Sequence, residues 1–489
     1  MEATIRRKCW FGFILGVVQI LHGLHSVSAA NCTGLSAEVV CTCDDFGHCL
    51  QGTVEVDPWL QETLKTQMDV QLDTPFHLVQ LLDAHNSYNT RVYGELYGAN
   101  DTCQWPPPYG TAPCITIANQ EFSLTDLLNM GIITIRGIEL DNWYCEGEMR
   151  IAHLGTDIAM MCNADHVRFE EPVAEIGAWL DQNEGEIVRI YMNEKFDQGN
   201  DSAVNGPFER HLGDRVLTPA DLQDTYGGEW PTLRTMKRDG KTVVIAQIAT
   251  AGSDEFYLHQ GIFIHPGFWL DKQRRFFTDY PSCGGKNDTN ALRFYSDSTH
   301  YIFENELLDG PSRTGYVEDL TEFVKCRIQY PGADMITPQF LETAVYTWAR
   351  GEPANPVTDA TSCILLSGTD GRWYRPNDCN QEVNFACRHE VDVDDWVVSD
   401  TAGNYDTNTN ACPAGYRFAL PQNGYENQKL LDELDGRSTW LNVAPLLPNY
   451  VPPTNLPPVD PTTAHATPLV RSSSLLFWSL IVLFAVLLS

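Results

Sequence analysis

Histidine, asparagine and carboxylate residues recur at the ends of apolar, strand-like segments in the first half of the chain. This ordered set consists of His85, Asn86, Glu139, Asp141, His153 and Glu194. Imidazole transfers protons near neutral pH, and amide and carboxylate oxygens are the ligands of hard cations such as Ca²⁺ and Mg²⁺. A divalent cation beside two imidazoles can cleave a phosphodiester, because the ion neutralises phosphate charge and lowers the pKa of an attacking hydroxyl. These residue types therefore suit phosphodiester chemistry.

Each member of the set also has an ordinary structural explanation. A single histidine at a strand end is usually a hydrogen-bonded structural residue, and a Glu-x-Asp pair is most often a solvated strand edge. Lys195 could neutralise Glu194 in an ion pair. The functional hypothesis therefore depends on the order of the whole set rather than on any one residue.

Strand-like and helical segments alternate from about residue 71 to residue 345, which predicts a parallel α/β architecture. The predicted helices cover 122–130 and 170–182, with apolar residues at helical spacing. The predicted strands cover 77–83, 132–140, 149–153, 186–192, 242–247 and 261–265, with a last strand-like piece near 334–337. The predicted site residues then follow four successive strands, and the C-terminal strand ends are where (β/α)-barrel enzymes build their active sites.

The ordered set resembles the catalytic X-type domain of phosphatidylinositol-specific phospholipase C and its PLC-like phosphodiesterase relatives. The resemblance is strongest over residues 76–196 and continues weakly to about 350. It implies a distorted TIM barrel, α/β in class. In the metal-dependent members the order is His-Asn, Glu-x-Asp, His and then Glu, as in this chain. The metal-independent bacterial members have an arginine where Asp141 stands, so the residues here favour a metal site.

The resemblance also implies roles for the residues. His85 would contact the phosphate or act as base, and His153 would protonate the leaving oxygen. The inositol 2-hydroxyl would attack phosphorus, and the diacylglycerol oxygen would leave. The cation, Ca²⁺ with Mg²⁺ as the alternative, would be held by Asn86, Glu139, Asp141 and Glu194.

The substrate head group is left open by the sequence. Exposed basic residues on an acidic protein are usually solvated, but four of them are candidates for contacting phosphate: Lys272, Arg274, Arg275 and Arg293. A glycerophosphodiester phosphodiesterase is the enzymatic alternative, although those enzymes usually begin with His-Arg-Gly rather than His85-Asn86-Ser87. A catalytically silent surface or adhesion protein is the alternative from another class.

The chain ends predict export to the cell surface. Residues 1–29 have the basic start, apolar run and small-residue end of a signal peptide. Residues 475–489 form an uncharged apolar tail, which favours a GPI-attachment signal over a short membrane span and would tether the protein to the membrane surface. Of the 15 cysteines, one lies in the signal and 14 remain for disulfides. The sequons at Asn31, Asn100, Asn200 and Asn287 predict a glycoprotein.

The charge balance excludes one class of partner. The chain has 32 Lys and Arg against 65 Asp and Glu, a formal net charge of −33. Such an acidic protein is not expected to bind nucleic acid, since nucleic acids carry dense negative charge themselves. The expected partners are instead a phospholipid or other phosphodiester substrate and the membrane.

Outside the predicted barrel (71–345), the sequence predicts a Cys-rich lead-in over 30–70 and a small Cys- and Trp-rich module over 346–443, mostly β or irregular. A Pro-rich stalk and spacer over 444–474 precedes the tail. The module resembles a C-type lectin-like domain with its halves in swapped order. That resemblance implies the disulfides Cys363–Cys379 and Cys387–Cys412 and possible glycan contact, although Glu352-Pro353-Ala354 stands where sugar-binding lectins have Glu-Pro-Asn. The alternative is a disulfide-braced cap packed on the barrel.

Overall fold

The computed structural model describes 17 segments of the chain. They are residues 39–44, 47–90, 102–104, 111–113, 119–130, 135–145, 147–151, 166–192, 201–247, 269–284, 291–295, 317, 319–357, 359, 362–407, 411–447 and 450. The predicted signal peptide, most of the stalk and the apolar tail lie outside them. Within these segments, none of the helices is both long and apolar enough to span a membrane.

The described helices and strands are numbered in chain order. The helices are α1 (Pro58–Asp69), α2 (Leu124–Met130), α3 (Glu170–Gln182), α4 (Asp201–His211), α5 (Pro219–Asp224), α6 (Leu233–Asp239), α7 (Thr321–Lys325), α8 (Pro338–Glu342) and α9 (Gly424–Leu434). The first eleven strands are β1 (Leu82–Ala84), β2 (Thr102–Gln104), β3 (Thr111–Pro113), β4 (Ile135–Leu140), β5 (Asn142–Cys145), β6 (Glu148–Ile151), β7 (Val188–Met192), β8 (Val243–Gln247), β9 (Trp269–Gln273), β10 (Ala291–Tyr295) and β11 (Tyr330–Ala333). The last six are β12 (Ile364–Leu366), β13 (Trp373–Tyr374), β14 (Asn384–His389), β15 (Trp396–Val398), β16 (Tyr416–Phe418) and β17 (Thr439–Leu441).

A parallel sheet forms the centre of the fold, in the order β8-β7-β4-β1-β11-β10-β9. The predicted α/β class with a parallel sheet is therefore confirmed. In the pairings of the described residues, β8 and β9 are the two edge strands. Closure of the sheet into a barrel stays a prediction.

The strand predicted over 149–153 is present as β6, but its predicted place in the parallel sheet is wrong. The segment 149–153 was expected to continue the parallel sheet, but β6 pairs antiparallel with β5 in a separate two-stranded sheet. The connection explains this, because parallel neighbours need a crossover of about a dozen residues or more. Here only two residues separate β5 from β6, and one of them, Gly147, adopts the left-handed conformation with φ of 88°.

The lead-in contains a helix that the sequence pattern did not indicate. Asp57 caps α1 by accepting a hydrogen bond from the backbone N–H of Trp59 at 2.8 Å, and Pro58 occupies the first helical position. Leu60 and Leu64 of this helix are fully buried. A disulfide between Cys41 and Cys49 braces the segment before it.

The helix predicted over 170–182 is confirmed as α3. Its apolar residues Val173, Ile176, Trp179 and Leu180 are buried against the sheet, as the helical spacing predicted. Burial of such a face is what stabilises a surface helix in a folded protein.

One face of the central sheet holds buried charges among its apolar side chains. The carboxylate of Asp83 on β1 accepts a hydrogen bond from Arg189 on β7, and another from Nε of Arg293 on β10 at 2.9 Å. All three side chains are fully buried. Gly137 and Gly332 lie opposite Asp83 on the neighbouring strands, and they leave space for the guanidinium groups.

The C-terminal module contains a small sheet in the order β13-β12-β17-β14-β15, with β16 paired to β14. The structure contains the two disulfides that the resemblance implied, Cys363–Cys379 and Cys387–Cys412. A likeness to lectins is not established by these disulfides and stays a prediction.

The module packs directly on the α/β part. The indole N–H of Trp348 donates to Thr66 Oγ1 of α1 at 2.8 Å, and the indole N–H of Trp59 donates to the carbonyl of Ala349 at 2.7 Å. Trp348 is buried, and residues of both parts belong to one continuous hydrophobic core. This packing favours the interpretation of the module as a structural cap.

We predict that Gly137→Ala destabilises the protein strongly. A Cβ atom at this position would lie 1.2 Å from Asp83 Oδ1 and 2.5 Å from Arg189 Nη2, so the buried ion pair would have to move. Displacing such a pair should cost about 3 kcal/mol or more. A lower urea-unfolding midpoint, followed by tryptophan fluorescence, checks this.

Gly206→Ala is the control for this variant. Its Cβ would meet only the tip of the long Arg210 side chain within α4. The higher helix propensity of alanine is opposed by Pro207, which restricts the residue before it, so we expect a far smaller change in midpoint than for Gly137→Ala. Equal midpoints for Gly137→Ala and the unaltered protein would contradict the packing described here.

Candidate active site

His85 lies at the C-terminal end of β1 and is fixed through both its backbone and its ring. Its N–H donates to the carbonyl of Ala333 at 3.0 Å, and its carbonyl accepts from the Gln120 side-chain amide at 2.7 Å. The ring stacks on Tyr295 with centroids 5.2 Å apart. Ring nitrogen Nδ1 lies 2.8 Å from Asp334 Oδ1.

Asp334 directly follows β11, which is the neighbour of β1 in the sheet, and is buried. A carboxylate at this distance accepts a hydrogen bond from Nδ1–H, and in that tautomer of the neutral imidazole Nε2 is the proton acceptor. A histidine oriented in this way by a carboxylate is the arrangement of a general base.

Glu139 on β4 faces the other ring nitrogen. Its Oε2 lies 3.8 Å from His85 Nε2, accepts the Asn86 backbone N–H at 3.3 Å and accepts a hydrogen bond from Arg293 Nη2. Burial opposes ionisation of this carboxyl, but the positive charge of Arg293 and the hydrogen bonds from the Asn86 N–H and Arg293 outweigh it. The pKa of Glu139 is therefore lowered, and the group is ionised at neutral pH.

Asn86 occupies a special position beside the histidine. Its φ of 43° lies in the left-handed region, which asparagine tolerates better than most residues. Its side chain is buried, and within the described residues neither its Oδ1 nor its Nδ2 has a hydrogen-bond partner. A buried amide without partners costs about 1–3 kcal/mol, which a bound ligand could recover.

Ser87 ties this turn to β4. Its hydroxyl donates to the carbonyl of Ala84 at 2.5 Å and accepts the backbone N–H of Glu139 at 2.9 Å, while its own N–H donates to the Glu139 carbonyl at 3.0 Å. The position of His85 relative to Glu139 is therefore set by backbone contacts as well as by side chains.

The structure brings together three of the six predicted site residues: His85, Asn86 and Glu139. Asp141 directly follows β4, two positions beyond Glu139, and is buried. His153 and Glu194 lie outside the described residues, so their places in the site stay predictions.

The predicted cation site does not fit the contacts of Glu139. Its Oε2 already accepts hydrogen bonds from Arg293 and from Asn86, and a cation there would have to displace a buried guanidinium. Within the described segments, no three His, Cys, Asp or Glu side chains are grouped so that they could hold a metal ion. The orphaned amide of Asn86 is chemically suitable as a ligand, but alone it does not make a site.

Sequence reasoning missed Asp334 and Asp83 and gave Arg293 only as one of four candidates for phosphate contact. Asp83 lies on β1 and His85 follows two positions later, directly after the strand, so their shared face could have been inferred. Asp334 directly follows a strand, the rule that selected the other residues, but the strand was expected near 334–337 and lies at 330–333. No local pattern distinguishes buried Arg293 from the exposed arginines.

The comparisons with known proteins give distant relatives. No family model matches the chain. It is 22% identical over 411 residues to an uncharacterized protein of Mycobacterium tuberculosis, covering 76% of this chain and 77% of that protein. It is 25% identical over 177 residues to Maintenance of telomere capping protein 6 of Candida dubliniensis, covering 29% of this chain. That match spans only 28% of the fungal protein.

Solved structures with some likeness include three phosphatidylinositol-specific phospholipases C. The Ca²⁺-dependent enzyme of Streptomyces antibioticus has 14% identity and a TM-score of 0.29, covering 55% of this chain and 98% of that one. The Listeria monocytogenes enzyme has 12% identity and a TM-score of 0.32, covering 57% of this chain and 97% of that one. An enzyme of Staphylococcus aureus has 11% identity and a TM-score of 0.34, covering 60% of this chain and 95% of that one. At these values the likenesses do not by themselves establish a fold or a function.

We predict that Asp334→Asn changes the tautomer of His85. Removing the negative acceptor should raise the share of imidazole protonated at Nε2, because Nδ1–H loses its ionic partner. The ¹⁵N shifts of the ring nitrogens in histidine-labelled protein measure this directly.

His77 serves as the internal reference in the same spectrum. Burial lowers the pKa of His77 to about 4, so it is neutral near pH 7 in both proteins. Unchanged His85 shifts in Asp334→Asn would show that Asp334 does not set the tautomer.

Proposed function

We propose that the chain is a phosphoric diester hydrolase of the phospholipase C type, acting on a phosphoinositide or a related phosphodiester. The observation that carries the proposal is the imidazole of His85, held at Nδ1 by Asp334 and presented through Nε2 beside Glu139. The ordered set of the sequence, with its resemblance to phosphatidylinositol-specific phospholipase C, supports the same reaction class.

In the proposed reaction, His85 Nε2 takes the proton of the attacking hydroxyl as the oxygen forms its bond to phosphorus. Asp334 keeps Nδ1 protonated and stabilises the imidazolium that results. The ester oxygen of the leaving group departs with a proton supplied by His153, the role that the resemblance implies. With an inositol 2-hydroxyl as nucleophile, the first products are a cyclic inositol phosphate and a diacylglycerol, and attack of water on the cyclic phosphate would complete the hydrolysis.

Asn86 is the proposed phosphate contact. Its side-chain N–H groups are buried next to His85 and have no partner within the described residues. Donation to a phosphoryl oxygen would satisfy one of them as negative charge develops there. Calcium is not assigned a step, because the contacts of Glu139 do not fit a cation at that carboxylate.

We also propose an extracellular or cell-surface location. Four disulfides of the described residues are typical of exported proteins, and the predicted signal peptide agrees with them. The GPI-type tether stays part of the proposal. For the C-terminal module we propose a bracing role, with glycan contact left as a further hypothesis.

We predict that His85→Gln lowers the hydrolysis of phosphatidylinositol by about 10²–10⁴-fold, the usual contribution of a general base. His211→Gln is the matched control and should leave the rate unchanged. His211 also pairs with a carboxylate, Glu170 at 3.0 Å, but it lies on α4 and not in the proposed site. Release of cyclic inositol phosphate, measured by phosphorus NMR, follows the reaction.

The product distinguishes the alternatives. Glycerol phosphate released from glycerophosphoinositol would favour a glycerophosphodiester phosphodiesterase. No hydrolysis of phosphatidylinositol, glycerophosphoinositol or lysophospholipids would favour a silent surface protein. Full activity in His85→Gln would refute the proposed base.

A further inference from the structure

We propose that Arg293 is a built-in cation that takes the place of a divalent metal at Glu139. The catalytic role given to this charge rests on the proposed function. The contact on which it depends, Arg293 Nη2 to Glu139 Oε2, is independent of any substrate.

Arg293 is committed to this place by a second contact. Its Nε donates to Asp83 Oδ2 at 2.9 Å while Nη2 donates to Glu139, so one guanidinium bridges two buried carboxylates. The side chain has no exposed surface, and Gly332 leaves room for it, since a Cβ there would lie 3.1 Å from Nη2. The residues Asp83, Glu139 and Gly332 therefore accommodate the Arg293 side chain.

Glu139 already has a positively charged partner. Arg189 also binds Asp83, so each of the carboxylates of Asp83 and Glu139 is paired with at least one buried guanidinium group. A calcium ion entering at Glu139 would add two positive charges beside Arg293. It would also break a buried pair, and an uncompensated buried charge is strongly destabilising.

The built-in cation lies close to the proposed base. The Arg293 guanidinium lies 5.1 Å from the centroid of the Tyr295 ring, and His85 stacks on the same ring. Glu139 Oε2 is the common neighbour of Arg293 and of His85 Nε2. A positive charge fixed before the reaction needs no reorganisation when negative charge develops at phosphorus. Arg293 therefore acts as a positioning and electrostatic residue.

The test is calcium binding, measured by isothermal titration calorimetry on full-length protein first treated with chelator. We expect Glu139→Gln to leave the calcium affinity of the protein unchanged, because Glu139 is not a ligand. We expect Arg293→Ala to gain a calcium site at least about 10-fold tighter than any site in the unaltered protein, since affinity follows the number of charged ligands. The double variant Arg293→Ala/Glu139→Gln should lose that site.

Two controls make the result specific. Arg136→Ala removes a different buried arginine, which lies on β4 and pairs with Glu186 at 2.8 Å. This variant should gain no comparable calcium site. Arg293→Lys keeps the charge and should also gain none. Arg189 still pairs with Asp83 when Arg293 is replaced, which favours folding of the variants.

The inference is overturned if the unaltered protein binds calcium and Glu139→Gln weakens that binding 10-fold or more. This outcome can be measured even if Arg293→Ala fails to fold. Absence of hydrolysis of phosphatidylinositol, glycerophosphoinositol and lysophospholipids would overturn the proposed function. The comparison of calcium affinities between the variants would still be valid. Hydrolysis unaffected by chelator would support both.

Discussion

The carboxylate of Asp83 accepts hydrogen bonds from two buried arginines, and the arrangement of the site depends on this contact. Arg189 and Arg293 reach Asp83 from strands on opposite sides of β1. Each arginine would be very costly to bury without a partner, and Asp83 would be costly to bury if neither arginine were present. This network therefore defines how three strands are placed beneath the site.

The site continues this network two residues further along the chain. Asp83 and His85 point to the same face of β1, and Arg293 extends from Asp83 to Glu139, which lies beside His85. Asp334 then fixes the ring from the strand on the other side. The positions of the proposed base, its orienting carboxylate and the neighbouring cation are thus set by buried ionic contacts.

The sequence predicted the elements with strong periodicity and the residues at strand ends. Helix α3 was predicted with its observed bounds, and His85, Asn86 and Glu139 meet as the strand-end rule requires. The strand before Asp334 was misplaced because Tyr-Pro-Gly-Ala lacks the alternating apolar pattern of a strand. Arg293 and Asp83 could not be recognised as a pair, since buried charges are defined by partners far away in the chain. The docking of the C-terminal module likewise depends on contacts between Trp348 and α1.

A crystal structure of the full chain with cyclic inositol phosphate bound tests the central claim most directly. The account predicts a phosphoryl oxygen within about 2.6–3.2 Å of His85 Nε2, with Arg293 still bound to both Asp83 and Glu139. A phosphate bound away from His85, or a metal ion on Glu139 with Arg293 displaced, would contradict it.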